Sequence, residues 1–392
     1  MKALISLVSA LLVMALIIGS VGCGGNGEEI ATPVQTATVG GATATPETTP
    51  QAYTGESFKF RVSHQSIIGD IEDQRWNYIN ERLQYYTDGK CKLEIYPASS
   101  LYRGLEEWDA CATGALDMMT VSSWQPTMQG LMDWQLPFMG FFWGEKAGEG
   151  RAHWERFAYN PDGGGVLLKQ LEDHGIKGIG FYSTGGITMN VNKKKRVVQL
   201  RDMKGWKNMS VGGFSEILVQ ACGLTPVFID PAEQQIAFEQ GLIDSINIGP
   251  DRVLTTKLYE TAPYGLCSDP VASTGCTAMN LNKWNSLPSE LQDIWINKIL
   301  PDVRQWSIDN DLPFYMQCLE ELKSVGFTVD FIPKEERDWL RDEMWRLGCE
   351  RGYIPQINEE LLKLADHLRV EPYTTGRFYS EPPGSGNYGC PE

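Results

Sequence analysis

Histidine is scarce: four residues in 392, at positions 64, 153, 174 and 367, with no two close enough to form a local pair. No H-E-x-x-H, G-x-S-x-G or phosphate-loop pattern occurs, so the residue arrangements that announce zinc proteases, α/β-hydrolases and nucleotide hydrolases are missing. Basic residues are also in deficit. Lys and Arg number 34 against 50 Asp and Glu, a formal net charge of −16. The longest basic run is Lys193-Lys194-Lys195-Arg196. A nucleic-acid backbone or an anionic lipid surface demands a basic stripe, which excludes both as expected partners. No Cys-x-x-Cys or Cys/His pair has metal-ligand spacing, and no motif calls for a metal or a cofactor. Beyond the N-terminus no stretch of 18 apolar residues exists, so nothing there is expected to span a membrane.

The one long apolar run is Ala3 to Gly19, behind Lys2 and ahead of Ser20-Val21-Gly22-Cys23. A positive start, an apolar run and small residues before a Cys read as an export signal over 1–22, with Cys23 lipidated as the new N-terminus of a lipoprotein. Bacterial lipoprotein signals usually carry Leu three positions before the Cys, where this chain has Ser20. An uncleaved membrane anchor is the competing expectation, and both place the rest of the chain outside the cytoplasm. Residues 23–57 are rich in Gly, Thr, Ala and Pro without apolar periodicity, and are expected to form a flexible tether with a reach of roughly 30 Å. Eight cysteines remain after Cys23. They allow 105 pairings, among which the sequence does not choose. Structural bridges or buried thiols are expected.

From Phe58 the chain alternates strand and helix. Phe58 to Ser63 has a period of two, and Asp70 to Tyr86 carries Ile71, Trp76, Ile79 and Leu83 on one helical stripe. Lys92 to Tyr96 reads as a strand, Glu106 to Thr113 as a helix and Leu116 to Val121 as a short buried strand. Strands are again expected at Ile179 to Tyr182, Ile187 to Asn190 and Lys207 to Val211, and helices at Ser215 to Cys222 and Ala232 to Gln240. From Ser286 to Val325 the pattern is helical, with Pro301 and Pro313 expected to kink or split it. The fold class expected is α/β with a largely parallel sheet.

Several segments carry a resemblance. Leu200-Arg201-Asp202-Met203-Lys204-Gly205-Trp206-Lys207 resembles the D-L-K-G-x-K segment of TRAP-transporter substrate-binding proteins, the DctP-like family. Ala221 to Val227 is similar to that family's x-x-G-A-x-P-V, and Glu239 to Asp244 to its L-Q-x-G-x-x-D. Thr113 to Met118 and Met279 to Pro288 resemble two further family segments, in order, from about Phe58 to Gly326. The resemblance implies a two-lobed, type-II periplasmic-binding-protein-like fold with a hinge and long C-terminal helices. Lobe 1 would comprise mainly 58–177, lobe 2 mainly 178–285, and helices in 286–373 would pack across both before an irregular tail at 374–392. It further implies a binding protein, not an enzyme, that hands a small solute to the membrane permease of the transporter. An ABC-importer lipoprotein and a ligand-presenting sensor would share the fold; a secreted hydrolase is the reading from another class.

Acid-binding members of the family carry an Arg where this chain has Met209, and a second near Gly185. A planar guanidinium suits a carboxylate, and burying a carboxylate without one costs several kcal/mol, in rough terms. The expected solute is therefore not a simple carboxylate, or is one bridged by a metal ion. The expected contact residues are Gln65, Ser123, Trp124, Phe181, Trp206, Met209 and Asn247, the aromatics supplying stacking surfaces. Asp244 and Glu233 are expected to be structural.

Overall fold

Eleven strands form two mixed sheets in the computed structural model, which describes residues 53–139, 150–183, 187–230, 233–268, 274–368 and 390. The expected signal, the lipidation site Cys23, nearly all of the tether, Gly185 and the tail apart from Cys390 lie outside the described residues. Among the described residues no helix is long and apolar enough to cross a membrane.

The first sheet has the order β2-β1-β3-β10-β4. Its strands are β1 (Phe58–Ser63), β2 (Cys91–Tyr96), β3 (Met118–Ser122), β4 (Ile176–Ser183) and β10 (Thr274–Asn280). The second has the order β11-β9-β5-β8-β6-β7. It contains β5 (Met189–Asn192), β6 (Lys207–Ser210), β7 (Thr225–Phe228), β8 (Ser245–Ile248), β9 (Tyr264–Cys267) and β11 (Thr328–Phe331). Each sheet is the centre of one lobe. The chain crosses from the first to the second after β4 and returns before β10.

That return changes two expectations. β4 straddles the expected boundary at 177/178 with most of its residues in the segment assigned mainly to lobe 2, yet it pairs antiparallel with β10 in the first sheet. The sheets are also mixed, not largely parallel. β10 enters lobe 1 from the other lobe and runs against β3 and β4, while β5 runs against β8 and β9.

Helix α1 (Ile71–Tyr86) starts on Asp70, whose carboxylate accepts the backbone N–H groups of Glu72 and Asp73. Its stripe of Ile71, Trp76, Ile79 and Leu83 is buried as the spacing predicts, each side chain contributing about 1.5–3 kcal/mol. Helix α2 (Gly104–Thr113) ends on Gly114 at φ 84. A short α3 (Trp124–Met128) follows β3 directly. In lobe 2, α4 (Gly213–Ala221) leads from β6 back to β7, and α5 (Pro250–Thr255) follows β8.

The long helix α6 (Leu300–Ser324) is continuous through Pro313, so of the expected kink or split the split does not occur. Pro301 sits in its first turn, where no backbone donor is needed, directly after a π turn over Trp295–Ile299. One disulfide among the described residues joins Cys349, on α7 (Lys334–Glu350), to Cys390. The other six described cysteines are buried, and burial pushes the thiols of Cys111, Cys222 and Cys276 up, which leaves them unreactive.

Candidate functional site

The lobes meet at the carboxyl ends of β1 and β3 on one side and of β6, β7 and β8 on the other, where open α/β sheets present ligands. Gln65, two residues past β1, faces lobe 2. The Arg252 guanidinium on α5 donates to its carbonyl at 3.4 Å. The Gln65 amide in turn points at the Glu107 carboxyl on α2, also at 3.4 Å. Gln135 of lobe 1 accepts the Phe214 N–H at the start of α4 at 2.5 Å.

Closest of all is Gly104 at the start of α2. A Cβ on it would lie 2.2 Å from the Asp230 carboxylate, just past β7, and 3.7 Å from the Trp124 ring. Its φ of +46° disfavours any other residue as well. The absent side chain is what lets lobe 2 settle against α2. Gly104→Ala is expected to hold the lobes apart, raising the radius of gyration in small-angle scattering. An unchanged value would mean that this approach is not a closure contact.

Trp124 packs against the apolar cluster of lobe 2 that contains Met209, Val211, Ile229 and, from lobe 1, Ile71. Three of the expected residues, Gln65, Trp124 and Met209, are thus brought to the junction, with the buried Ser123 beside Trp124. At the junction Met209 contributes a thioether in an apolar setting.

The remaining expected residues lie elsewhere, each for a physical reason. Phe181 is 1% exposed, with its ring between Trp134 and Trp154 at centroid distances of 5.5 and 5.3 Å, so it is a core residue. Trp206 precedes β6 at the end away from the junction, under the Lys194 ammonium at 4.9 Å. Asn247 is held in an amide ladder across three strands: it accepts from Asn190 at 2.9 Å and donates to Asn208 at 3.3 Å, and Asn208 donates to Ser245 at 2.8 Å. The three asparagines line a cavity of about 20 Å³ beneath α4, room for a single water molecule. Asp244 is structural as expected, accepting the Lys207 N–H and pairing with Lys194.

Sequence reading missed a concentration of buried charge at the junction. Burial, reinforced by the Asp251 and Glu72 carboxylates, pushes Asp70 up to about 7. Asp251 on α5 is also raised by burial, although the Ile71 and Arg252 N–H groups oppose this. Burial pushes Glu107 up to about 7, with Ser63 and Gln65 beside it pulling the other way. Burial opposes ionisation of Glu72, but His64, Thr120, Ser66 and Arg75 outweigh it and hold the carboxyl below its usual range. The Arg75 guanidinium, 1% exposed, donates to Ser307 at 2.9 Å and Asp311 at 2.8 Å and lies 4.3 Å from the Tyr182 ring centroid. Its charge is thereby committed to α6. A signal for Glu107 existed: it lies four residues before Cys111 on the face of α2 that turns inward. Among the described residues no group of three or more His, Cys, Asp or Glu is arranged to hold a metal ion.

Comparison with known proteins places this geometry. The model of bacterial extracellular solute-binding protein family 7, DctP, matches residues 62–347. The C4-dicarboxylate-binding periplasmic protein DctP of Rhodobacter capsulatus is 25% identical over 285 residues, 69% of this chain and 81% of the relative. Among solved structures, a TRAP periplasmic solute-binding protein from Desulfovibrio salexigens with bound orotic acid superposes with a TM-score of 0.71 at 19% identity. It covers 80% of this chain and 99% of that one. The sugar-acid-binding protein DctPAm of Advenella mimigardefordensis, in complex with galactonate, gives a TM-score of 0.71 at 16% identity over 79% and 97% of the two chains. The two-sheet architecture is therefore that of the two-lobed solute receptors, and the chain belongs to the DctP family of bacterial extracellular solute-binding proteins, which are receptors and not enzymes.

Proposed function

We propose that this protein is the extracytoplasmic receptor of a TRAP-type transporter, tethered to the membrane through a lipid on Cys23, that closes on one small organic solute and delivers it to the permease. The observation that carries this reading is the junction itself. Trp124 of lobe 1 seats against the lobe-2 cluster around Met209, and Gly104 admits Asp230. A solute held there is enclosed by both lobes, and closure is favoured by whatever contacts the solute adds to the closed state.

The named relatives bind C4-dicarboxylates, orotate and galactonate, all acids. Met209 argues for a different solute here. It is 8% exposed within an apolar cluster and offers a carboxylate no hydrogen bond. The solute is one other than a simple mono- or dicarboxylate, or one whose charge a bound metal ion meets. Thermal-shift measurements with succinate, fumarate and malate in the presence of a chelator are expected to show no stabilisation. A rise in melting temperature that saturates at micromolar concentrations of any of them would refute this.

A further inference from the structure

Behind Gln65 lies a set of buried polar atoms that neither the fold nor the family reading uses. Glu107 is fully buried, and its Oε1 accepts no hydrogen bond. The Ser63 hydroxyl and both ring nitrogens of His64, equally buried at the end of β1, make no hydrogen bond of good geometry either, although Ser63 lies against Glu107 and His64 against Asp73. The nearest group to His64 is the Asp73 carboxylate, 3.5 Å from Nε2. The backbone is strained alongside: Ala98 and Ser99 both take positive φ, at 55° and 53°, while their N–H groups bond to Ser66 and His64. Native proteins rarely leave buried polar atoms unpaired, and a cluster of them beside a binding cleft is explained most simply by a ligand that pairs with them.

The balance of charge gives the ligand's chemistry. Glu107 is faced by Ser63, His64 and Gln65 from the end of β1, by Glu72 from α1, by Cys111 one turn along α2, and, beyond Gln65, by Arg252 from α5. His64 is matched by Asp73, and Arg252 lies between Asp70 and Asp251. Carboxylates outnumber cations, and the unpaired oxygen is an acceptor that requires a donor. A carboxylate brought here would meet repulsion, whereas a hydroxyl or an ammonium would fill the vacant hydrogen bond.

We propose that Glu107 and Gln65 form the specificity-determining subsite of lobe 1, and that it receives a hydrogen-bond-donating end of the solute, a hydroxyl or an ammonium. This rests on the solute-receptor reading of the same cleft. The Gln65 amide orients the Glu107 carboxyl, leaving Oε1 for the solute, and Arg252 fixes Gln65 when the lobes meet.

Four matched four-carbon probes test this by calorimetric titration: erythritol, 1,4-diaminobutane, 4-aminobutanoate and succinate. At pH 8 at least one of the first three is expected to bind at least tenfold more tightly than succinate. Erythritol as the tightest identifies a hydroxyl end; 1,4-diaminobutane or 4-aminobutanoate identifies an ammonium. Glu107→Gln, nearly isosteric, is expected to weaken the preferred probe at least tenfold. It should also flatten the rise in affinity between pH 6 and pH 8 that ionisation of Glu107 gives the parent, an effect that loss of packing alone would not produce. Gln65→Ala is expected to weaken the same probe, and melting curves establish that both variants fold. Succinate binding tightest, no binding of any donor probe, or affinity indifferent to Glu107→Gln would each overturn the proposal. Solute capture fails on different grounds, when no solute of any kind changes the shape of the molecule.

Discussion

Arg75→Ala is expected to destabilise the protein by about 3–5 kcal/mol, because it strips one partner from a fully buried ion pair. Arg75 on α1 and Asp311 on α6 are 1% and 0% exposed, and the guanidinium also holds Ser307 and the face of Tyr182. Removing it leaves the Asp311 carboxylate buried without its cation. The effect reaches beyond one contact, since α6 packs against β4 of lobe 1, β11 of lobe 2 and α5. Detaching α1 from it loosens the element that both lobes share. In a body of this size the loss corresponds to a fall of roughly 5–10 °C in melting temperature. Arg75→Met combined with Asp311→Leu is expected to recover most of it, because an apolar pair of similar volume carries no desolvation penalty. Calorimetry of the two variants decides: if the single substitution melts within a degree of the parent, the pair contributes nothing.

The second large effect concerns pH. Asp70 and Glu107 both have folded-state values of about 7, well above the ordinary carboxylate range. The folded state therefore binds their protons more tightly than the unfolded chain does. Stability from this source is full below the unfolded value near 4 and is lost as pH rises to about 7, on the order of 3–4 kcal/mol for each group. His64 acts in the same direction: its value is raised because Asp73 and the neighbouring carboxylates outweigh burial, so its contribution also disappears as pH rises. Glu72 and Asp73, held low chiefly against burial by His64 and their hydrogen bonds, lose their contribution only as pH falls below the ordinary carboxylate range. The protein is thus expected to be most stable near pH 5 and to melt several degrees lower at pH 8. Asp70→Asn keeps the cap on α1, because an amide oxygen also accepts N–H bonds. It should raise the melting temperature at pH 8 by clearly more than at pH 5, where only the first part of the loss has occurred. A parent that melts higher at pH 8 than at pH 5 would contradict this.

Much of this architecture was legible in the sequence wherever the information is local. The period-two pattern of β1 and the 3.6-residue stripe of α1 depend only on neighbouring residues, and both elements form where expected. The Lys207–Ser210 strand and the Gly213–Ala221 helix were legible for the same reason. Sheet membership was not. Whether Ile176–Ser183 pairs with lobe 1 or lobe 2 is decided by Thr274–Asn280, some hundred residues later, and no local pattern encodes that pairing. Pro313 does not split α6 because the cost of proline in a helix is an average, and the packing of α6 against both lobes offsets it here.

At the site the division is similar. Gln65 follows a recognisable strand, and Met209 stands out as a departure from a known segment, so both could be found in the chain alone. Phe181 and Trp206 could not be told from core or surface aromatics, because that depends on which side of a strand meets Trp154 or Lys194. Glu107, Asp251 and Arg252 acquire their chemistry only when the lobes bring them together.

Closure of two lobes over one solute is tested most directly by small-angle scattering of protein purified without dialysis, then stripped of small molecules by reversible denaturation, then given back the filtrate released in that step. Capture between lobes predicts a larger radius of gyration after stripping and a return to the smaller value on reloading. Superimposable curves in all three states would mean that the halves do not move on a solute, and would contradict it.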